Sequence, residues 1–152
     1  MKKNLLATLI MLVVILTSLF AGNNKKNELT WYENIEEAME VASDNDVPIL
    51  VDFTGSDWCK WCFVLEDEVF SQKEFIDYAN ENLVLVLLDF PRSKKMSNEQ
   101  KAYNRNLAEK YNIKGFPTIL ILDKNSEILG QTGYQRGGAV NYINHLKSII
   151  NK

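Results

Sequence analysis

The sequence predicts an α/β domain with a central mixed sheet, in which parallel strands and a C-terminal β-hairpin are flanked by helices. Continuous apolar runs at 47–53, 83–90 and 117–122 are typical of strands in the interior of such a sheet. Segments whose apolar residues recur at helical spacing separate these runs. Strands that alternate with helices generally pair in parallel, so the pattern favours a layered α/β architecture.

The order of the elements follows from local patterns. In chain order we expect a helix over 34–43, a strand over 47–53, helices over 59–70 and 72–80, a strand over 83–90, a helix over 97–111, strands over 117–122 and 127–130, and a helix over 138–150. The first helix has Ile35, Ala38 and Ala42 on one face. Pro91 ends the second strand, and the four-residue turn 123–126 closes the hairpin.

The N-terminal segment differs in composition from the rest of the chain. Two lysines follow Met1, and a nearly uninterrupted apolar stretch comes after them. Small residues stand at Ala21 and Gly22. This is the layout of a secretory signal peptide, with cleavage after Ala21. The alternative is an uncleaved membrane anchor, although the stretch is shorter than the ~20 apolar residues of a spanning helix. Residues 22–30 are polar and predict a flexible lead-in, and residues 31–152 form a single domain.

Charge and composition restrict the function classes. The 152 residues carry a formal net charge of −3, with 46% hydrophobic and 24% charged residues. This balance is normal for a globular protein and lacks the basic surplus of a nucleic-acid binder, so nucleic acid is not an expected partner.

The chemistry is concentrated in two cysteines, Cys59 and Cys62, which are the only cysteines of the chain. Cys59 lies after a predicted strand and loop, where the partial positive charge of a helix N-terminus favours a thiolate. Lys60 adds a second positive charge beside it. Cys62 lies one turn further along, placed to attack a mixed disulfide at Cys59. The pair therefore predicts a nucleophile and a resolving thiol.

Other interpretations of the pair stay open. A purely structural disulfide is disfavoured because a bridge across two residues constrains little of the unfolded chain. A zinc site would need about four ligands, and His145 is the one histidine available. Copper(I) carriage by two thiolates is chemically permitted.

Three segments together resemble the thioredoxin family: Val51-Asp52-Phe53, Trp58-Cys59-Lys60-Trp61-Cys62 and Gly115-Phe116-Pro117-Thr118. The stretch from Phe53 to Cys59 is similar to an exported bacterial branch of that family. The resemblance extends over roughly residues 33–150 and implies a thioredoxin-like fold for residues 31–152.

The resemblance also implies roles for single residues. Pro117 matches the cis-proline that lies against the active-site disulfide, and Phe116 would flank the substrate groove. Asp52 matches the buried acid that accepts the proton of the resolving cysteine. Because it lies inside an apolar run, we expect it to be buried and its pKa to be raised, and the alternative is an exposed strand end. We predict that Trp58, Trp61 and Lys60 contribute to substrate binding as well. The alternatives are that Pro117 only begins a strand and that the tryptophans only pack.

This chain departs from the family pattern at several points. Lys60-Trp61 stands between the cysteines where well-known members have Gly-Pro, so the direction of the redox reaction cannot be inherited. The predicted strand 83–90 lacks the lysine that partners the buried acid in many thioredoxins. The basic segment 92–101 is longer than its counterpart and is interpreted as a solvated loop, the alternative being that it contacts a partner.

The sequence therefore predicts an exported, periplasmic or otherwise extracytoplasmic thiol–disulfide oxidoreductase, tethered to the membrane if its N-terminal segment is not cleaved. It would act as a monomer on protein thiols and disulfides, with a membrane or exported redox partner. No cofactor beyond the Cys59–Cys62 disulfide and no metal are expected. The alternative hypothesis is a binding module or copper(I) carrier with little redox turnover.

Overall fold

The computed structural model describes residues 28–151, so the predicted signal segment and most of the predicted lead-in lie outside it. The elements are β1 (Trp31–Tyr32), α1 (Ile35–Asn45), β2 (Ile49–Thr54), α2 (Lys60–Leu65) with a π-helical stretch (Glu66–Phe70), α3 (Lys73–Asn82), β3 (Val84–Asp89), α4 (Asn98–Lys110), β4 (Thr118–Leu122), β5 (Ile128–Thr132) and α5 (Gly138–Ile150).

The five strands form one mixed sheet in the order β1-β3-β2-β4-β5. Strands β1, β3 and β2 are parallel, β4 is antiparallel to β2, and β5 returns antiparallel to β4. The central strand β2 is buried along its whole length. The predicted α/β class, with parallel strands and a C-terminal hairpin, is confirmed.

Two elements differ from the sequence-based expectation. Strand β1 was not predicted, because two residues are too few to show a periodic pattern. The helix expected over 59–70 is a six-residue α-helix that continues as a π-helical stretch. The N–H of Ser71 bonds the carbonyl of Glu66, five residues earlier, which a periodicity of 3.6 residues does not anticipate.

The sheet separates two hydrophobic clusters. Because side chains alternate along a strand, Ile49, Val51 and Phe53 face the cluster formed with α1 and α4. Leu50 faces the opposite cluster, which α2, α3 and α5 cover. Asp52 follows Leu50 by two residues and therefore lies on the α2 side of the sheet.

Four loops meet at one edge of the sheet, which we call the carboxyl edge. Strands β2, β3 and β5 run toward this edge and β4 begins there. The loops after β2, β3 and β5 contain residues 55–59, 90–97 and 133–137, respectively. The loop before β4 contains residues 111–117.

The first described residues pack against the domain. Leu29 contacts the cluster beneath α3 and α5, and the Glu28 carbonyl accepts a hydrogen bond from the Asn80 side chain. Within residues 28–151, no helix combines the length and the apolar character needed to cross a membrane.

Replacement of Leu120 by alanine tests the central position of β4. Leu120 is 1% exposed, so Leu120→Ala should lower the free energy of unfolding by about 2–5 kcal/mol through lost burial and a residual cavity. Ile128 on the neighbouring strand β5 is 59% exposed, and Ile128→Ala should cost less than about 1 kcal/mol. Urea unfolding of both variants measures the difference. Equal losses would contradict the burial assigned to β4.

Candidate active site

Cys59 and Cys62 form a disulfide at the first turn of α2, with their Cα atoms 5.2 Å apart. Cys59 is the N-cap residue, and its sulfur accepts a hydrogen bond from the Cys62 N–H at 3.2 Å. The Cys59 carbonyl accepts hydrogen bonds from the N–H groups of Cys62 and Phe63, both at 3.1 Å. After reduction, the helix end and this N–H donor would favour the thiolate of Cys59.

Both cysteines are largely shielded, with 5% of Cys59 and 6% of Cys62 exposed. The residues between and after them are open to solvent, since Trp61 is 48% and Phe63 is 47% exposed. A reacting group from another molecule must therefore reach Cys59 through the small part of its surface that is exposed.

Asp52 is buried on β2, on the face that α2 covers, and is 5% exposed. Among the described residues its Oδ1 atom has no hydrogen-bond partner. Leu87 on β3 and Ile119 on β4 stand opposite it, so its strand neighbours supply no cation. Loss of hydration raises the pKa of Asp52 to about 8, and the charges of Glu66 and Asp89 add to this effect.

The two neighbouring acids were not predicted from the sequence. Glu66 follows Cys62 by one helical turn, and its N–H bonds the Cys62 carbonyl. Burial raises the pKa of Glu66 as well. Asp89 ends β3 and accepts hydrogen bonds from the backbone N–H and the hydroxyl of Ser56. The four-residue spacing from Cys62 could have indicated that Glu66 lies on the same side of the helix. The nearness of Asp89 to the site could be known only from the register between β2 and β3.

Trp58 forms one wall beside the disulfide. Its Nε1 donates to the Phe90 carbonyl at 2.8 Å, and its ring meets Phe116 edge to face at 5.9 Å between centroids. The guanidinium of Arg92 lies 3.9 Å from the ring centroid. Gly55 lies beneath the ring, where an added Cβ would come within 2.6 Å of Trp58 Cε2. A glycine is required there because the indole occupies the space of a side chain.

Phe116 and Pro117 lie on the loop before β4, joined by a cis peptide bond. Phe116 also contacts Phe90 at 4.9 Å between ring centroids. An open groove at the carboxyl edge brings the two residues together with the α2 side chain Trp61, and its complete lining is Trp61, Phe116, Pro117, Tyr134, Gln135 and Arg136.

Trp61 lines this groove on the side of α2. Its ring stacks on Tyr134 at 5.4 Å between centroids and an interplanar angle of 26°. The Tyr134 hydroxyl donates to the carboxylate of Glu68, in the π-helical stretch. Tyr134 was not predicted as a site residue, because nothing local to the β5–α5 loop indicates its partner on α2. Lys60 is exposed, with its Nζ 6.0 Å from the Trp61 ring centroid.

The basic segment after β3 is exposed, as expected of a solvated loop, and its backbone is in addition held in place by a carboxylate. The Asp57 carboxylate accepts hydrogen bonds from the backbone N–H groups of Arg92, Ser93 and Lys94, at 2.9, 2.6 and 2.9 Å. These bonds hold the pKa of Asp57 below its ordinary value. Its backbone is therefore ordered against the active-site loop, although its side chains remain exposed.

Metal ligands are sparse around the site. Across residues 28–151, no group of three or more His, Cys, Asp or Glu side chains could hold a metal ion. His145 lies on α5, where its Nε2 and the Thr132 hydroxyl share a hydrogen bond at 2.8 Å.

Comparison with known proteins agrees with the fold and with the cysteine pair. The family model of the thioredoxin-like domain matches residues 35–145. Disulfide bond reductase DsbH of Chlamydia pneumoniae is 34% identical over 122 residues, which cover 80% of this chain and 73% of that protein. Thioredoxin-related protein DsbJ of the same organism is 24% identical and matches 97% of this chain, but this chain spans only 44% of DsbJ.

Solved structures give the same result. A DsbH oxidoreductase superposes with a TM-score of 0.76 at 31% identity, covering 86% of this chain and 94% of the other. A Thermus thermophilus thioredoxin superposes with a TM-score of 0.59 at 18% identity, which supports the fold alone. With its disulfide at the start of α2, this chain belongs to the thioredoxin-like family and is a thiol–disulfide oxidoreductase.

Proposed function

We propose that the protein exchanges disulfides with protein substrates outside the cytoplasm, using Cys59 as the nucleophile and Cys62 as the resolving thiol. The observation that carries this proposal is the Cys59–Cys62 disulfide at a helix N-terminus, beside an open groove lined by Trp61, Phe116 and Pro117. The groove offers apolar surface for a polypeptide next to the reacting sulfurs.

The exchange proceeds in two balanced steps. The Cys59 thiolate attacks one sulfur of a substrate disulfide, that S–S bond breaks, and the departing substrate thiolate takes up a proton. The sulfur of Cys62 then loses its proton and attacks Cys59, which releases the second substrate thiolate. Two electrons pass from the Cys59–Cys62 dithiol to the substrate, and the enzyme is left with its disulfide.

Asp52 is the proposed acceptor of the Cys62 proton. A group with a pKa of about 8 is partly ionised near neutral pH and can both accept and return a proton. Its Oδ1 lacks any hydrogen-bond partner among the described residues that would hold it in one state. Burial is the main cause of the high pKa of Asp52, and the charges of Glu66 and Asp89 add to it.

We propose that the reaction runs toward reduction of substrate disulfides. The relative with 34% identity is named a disulfide bond reductase, and this chain covers 73% of it. Each cycle then consumes a second dithiol, which must reduce the Cys59–Cys62 disulfide again. The signal-like pattern of residues 1–21 supports export, whether as a released monomer or as a tethered one.

Single cysteine variants test the assignment of the two thiols. Cys59→Ser should abolish reduction of a disulfide-containing protein, because the attacking thiolate is gone. Cys62→Ser should retain the first step and accumulate a covalent mixed disulfide with the substrate. Turnover assays and intact-mass spectrometry measure the two outcomes.

The same two variants also test the opposite assignment of the cysteines. Adduct formation by Cys59→Ser and none by Cys62→Ser would reverse the two roles. Turnover at the wild-type rate by Cys59→Ser would refute the proposed function.

Stability against pH tests the protonation of Asp52. Between about pH 4 and pH 8 the unfolded chain has released this proton and the folded chain retains it, so stability falls as pH rises. Asp52→Asn removes this loss and should raise the free energy of unfolding at pH 7 by roughly 2–4 kcal/mol, with the gain shrinking toward pH 4. Urea unfolding of the oxidised proteins provides the measurement. The exposed acid Asp67 serves as control, and Asp67→Asn should show no such pH-dependent gain.

The rate of mixed-disulfide resolution tests the catalytic role of the same group. In the wild type this rate should rise with pH up to about 8 as Asp52 becomes ionised. Asp52→Asn should lower the rate at pH 7 by about 10²-fold and remove that part of the pH profile. Stopped-flow measurement of substrate release would show both effects. An unchanged profile would exclude Asp52 as the proton acceptor.

A further inference from the structure

We propose that the carboxyl edge is a basic docking surface that selects protein substrates whose disulfides lie among acidic residues. This inference rests on the proposed function and adds a substrate class to it. It is carried by the charges of the loops that surround the disulfide, and by their contrast with the opposite edge of the sheet.

The loops of the carboxyl edge, together with the first residue of α2, contain six cationic side chains and a single acidic one. All six cations are exposed: Lys60, Arg92, Lys94, Lys95, Lys114 and Arg136. The acid is Asp57, whose carboxylate is occupied by three backbone N–H groups. The ion pairs found within residues 28–151 join Lys73 to Asp77 and Lys124 to Asp46, so none of the six cations is neutralised by one.

Two further acids border this surface, and each has a hydrogen-bond donor of its own. Asp89 is half-buried and bonds Ser56, and Glu68 bonds the Tyr134 hydroxyl. A hydrogen bond does not remove the charge of a carboxylate, but the six cations outnumber the three acids Asp57, Asp89 and Glu68, so the charge at these loops is mainly positive.

The concentration of positive charge is local. The chain as a whole carries a net charge of −3. The β4–β5 turn at the opposite edge contains Asp123 and Glu127, and its one cation, Lys124, is paired with Asp46. A protein that is acidic overall thus presents a basic surface around its reactive sulfurs, which attracts anionic partners and orients them before contact.

The centre of the surface indicates that the partner is a protein. The groove there is lined mainly by aromatic and apolar side chains, and one of the six cations, Arg136, is part of its lining. An apolar centre with a charged rim is the usual anatomy of a protein–protein interface. A disulfide in the middle of a docking surface also requires a partner that brings sulfur to it.

The backbone of the basic rim is ordered before any partner arrives. Asp57 fixes the backbone of residues 92–94, and the Arg92 guanidinium rests on the Trp58 ring. The Lys94 ammonium donates to the Ser56 hydroxyl at 2.9 Å. Side chains that are already positioned lose less conformational freedom on binding, which favours specific recognition over diffuse attraction.

The test compares three synthetic peptides of equal length, each with one intramolecular disulfide flanked by glutamates, by serines or by lysines. We expect kcat/KM of the reduced protein for the acidic peptide to exceed that for the lysine peptide by about tenfold at ~20 mM ionic strength. The ratio should fall toward one at ~0.5 M, where charges are screened within about 4 Å.

Variants locate the effect on the protein. Lys95→Gln/Lys114→Gln removes two rim charges without touching the aromatic groove, and should lower the acidic-to-serine peptide ratio several-fold. The matched control Lys124→Gln/Lys147→Gln removes two cations away from the carboxyl edge and should leave every rate unchanged. Equal kcat/KM for the three peptides at low salt, with exchange otherwise intact, would overturn the inference.

Other outcomes separate this inference from its alternatives. Failure to reduce any of the three peptides would refute the proposed function itself. If the acidic peptide shows no advantage and the protein instead binds vesicles containing phosphatidylserine through Lys95 and Lys114, the basic surface serves a membrane and the inference is wrong.

Discussion

The geometry of the active site depends on the burial of β2 between β3 and β4. This strand is covered on both faces, and each of its six residues is buried, as is every residue of its neighbour β4. Such a position fixes the direction in which the chain leaves the sheet, and therefore the start of α2. It also forces Asp52 into an apolar environment with no cation opposite it. One packing constraint thus places both the reactive disulfide and the acid beneath it.

Sequence patterns that act over a few residues predicted most of this arrangement. The apolar run of β2 and the spacing of Cys59 and Cys62 are local features, and both correspond to the structure. The position of Asp52 inside that run was enough to predict its burial. The fold class followed from the alternation of helices and strands. Each of these inferences needed only neighbouring residues and the rules of secondary structure.

The remaining features depend on contacts between distant segments. Tyr134 stacks on Trp61 across 73 positions of the chain, and Asp89 influences Asp52 only because β3 pairs with β2. The role of Asp57 also depends on such a contact, since its carboxylate orders the backbone of three residues in the exposed basic segment after β3. The π-helical stretch was missed for a different reason, because its hydrogen bonds leave no distinct periodicity in five residues.

The stack between Trp61 and Tyr134 links two properties that are usually varied independently. Trp61 is one of the two residues between the cysteines, a place where substitutions tune the reduction potential of a dithiol. Here the same side chain also supports the β5–α5 loop, which Tyr134 connects to Glu68. Replacing the two residues between the cysteines with those of another oxidoreductase would change both the reduction potential of the cysteine pair and the shape of the groove. Evolution of new redox behaviour in this protein would therefore require compensating changes in a loop more than 70 residues away.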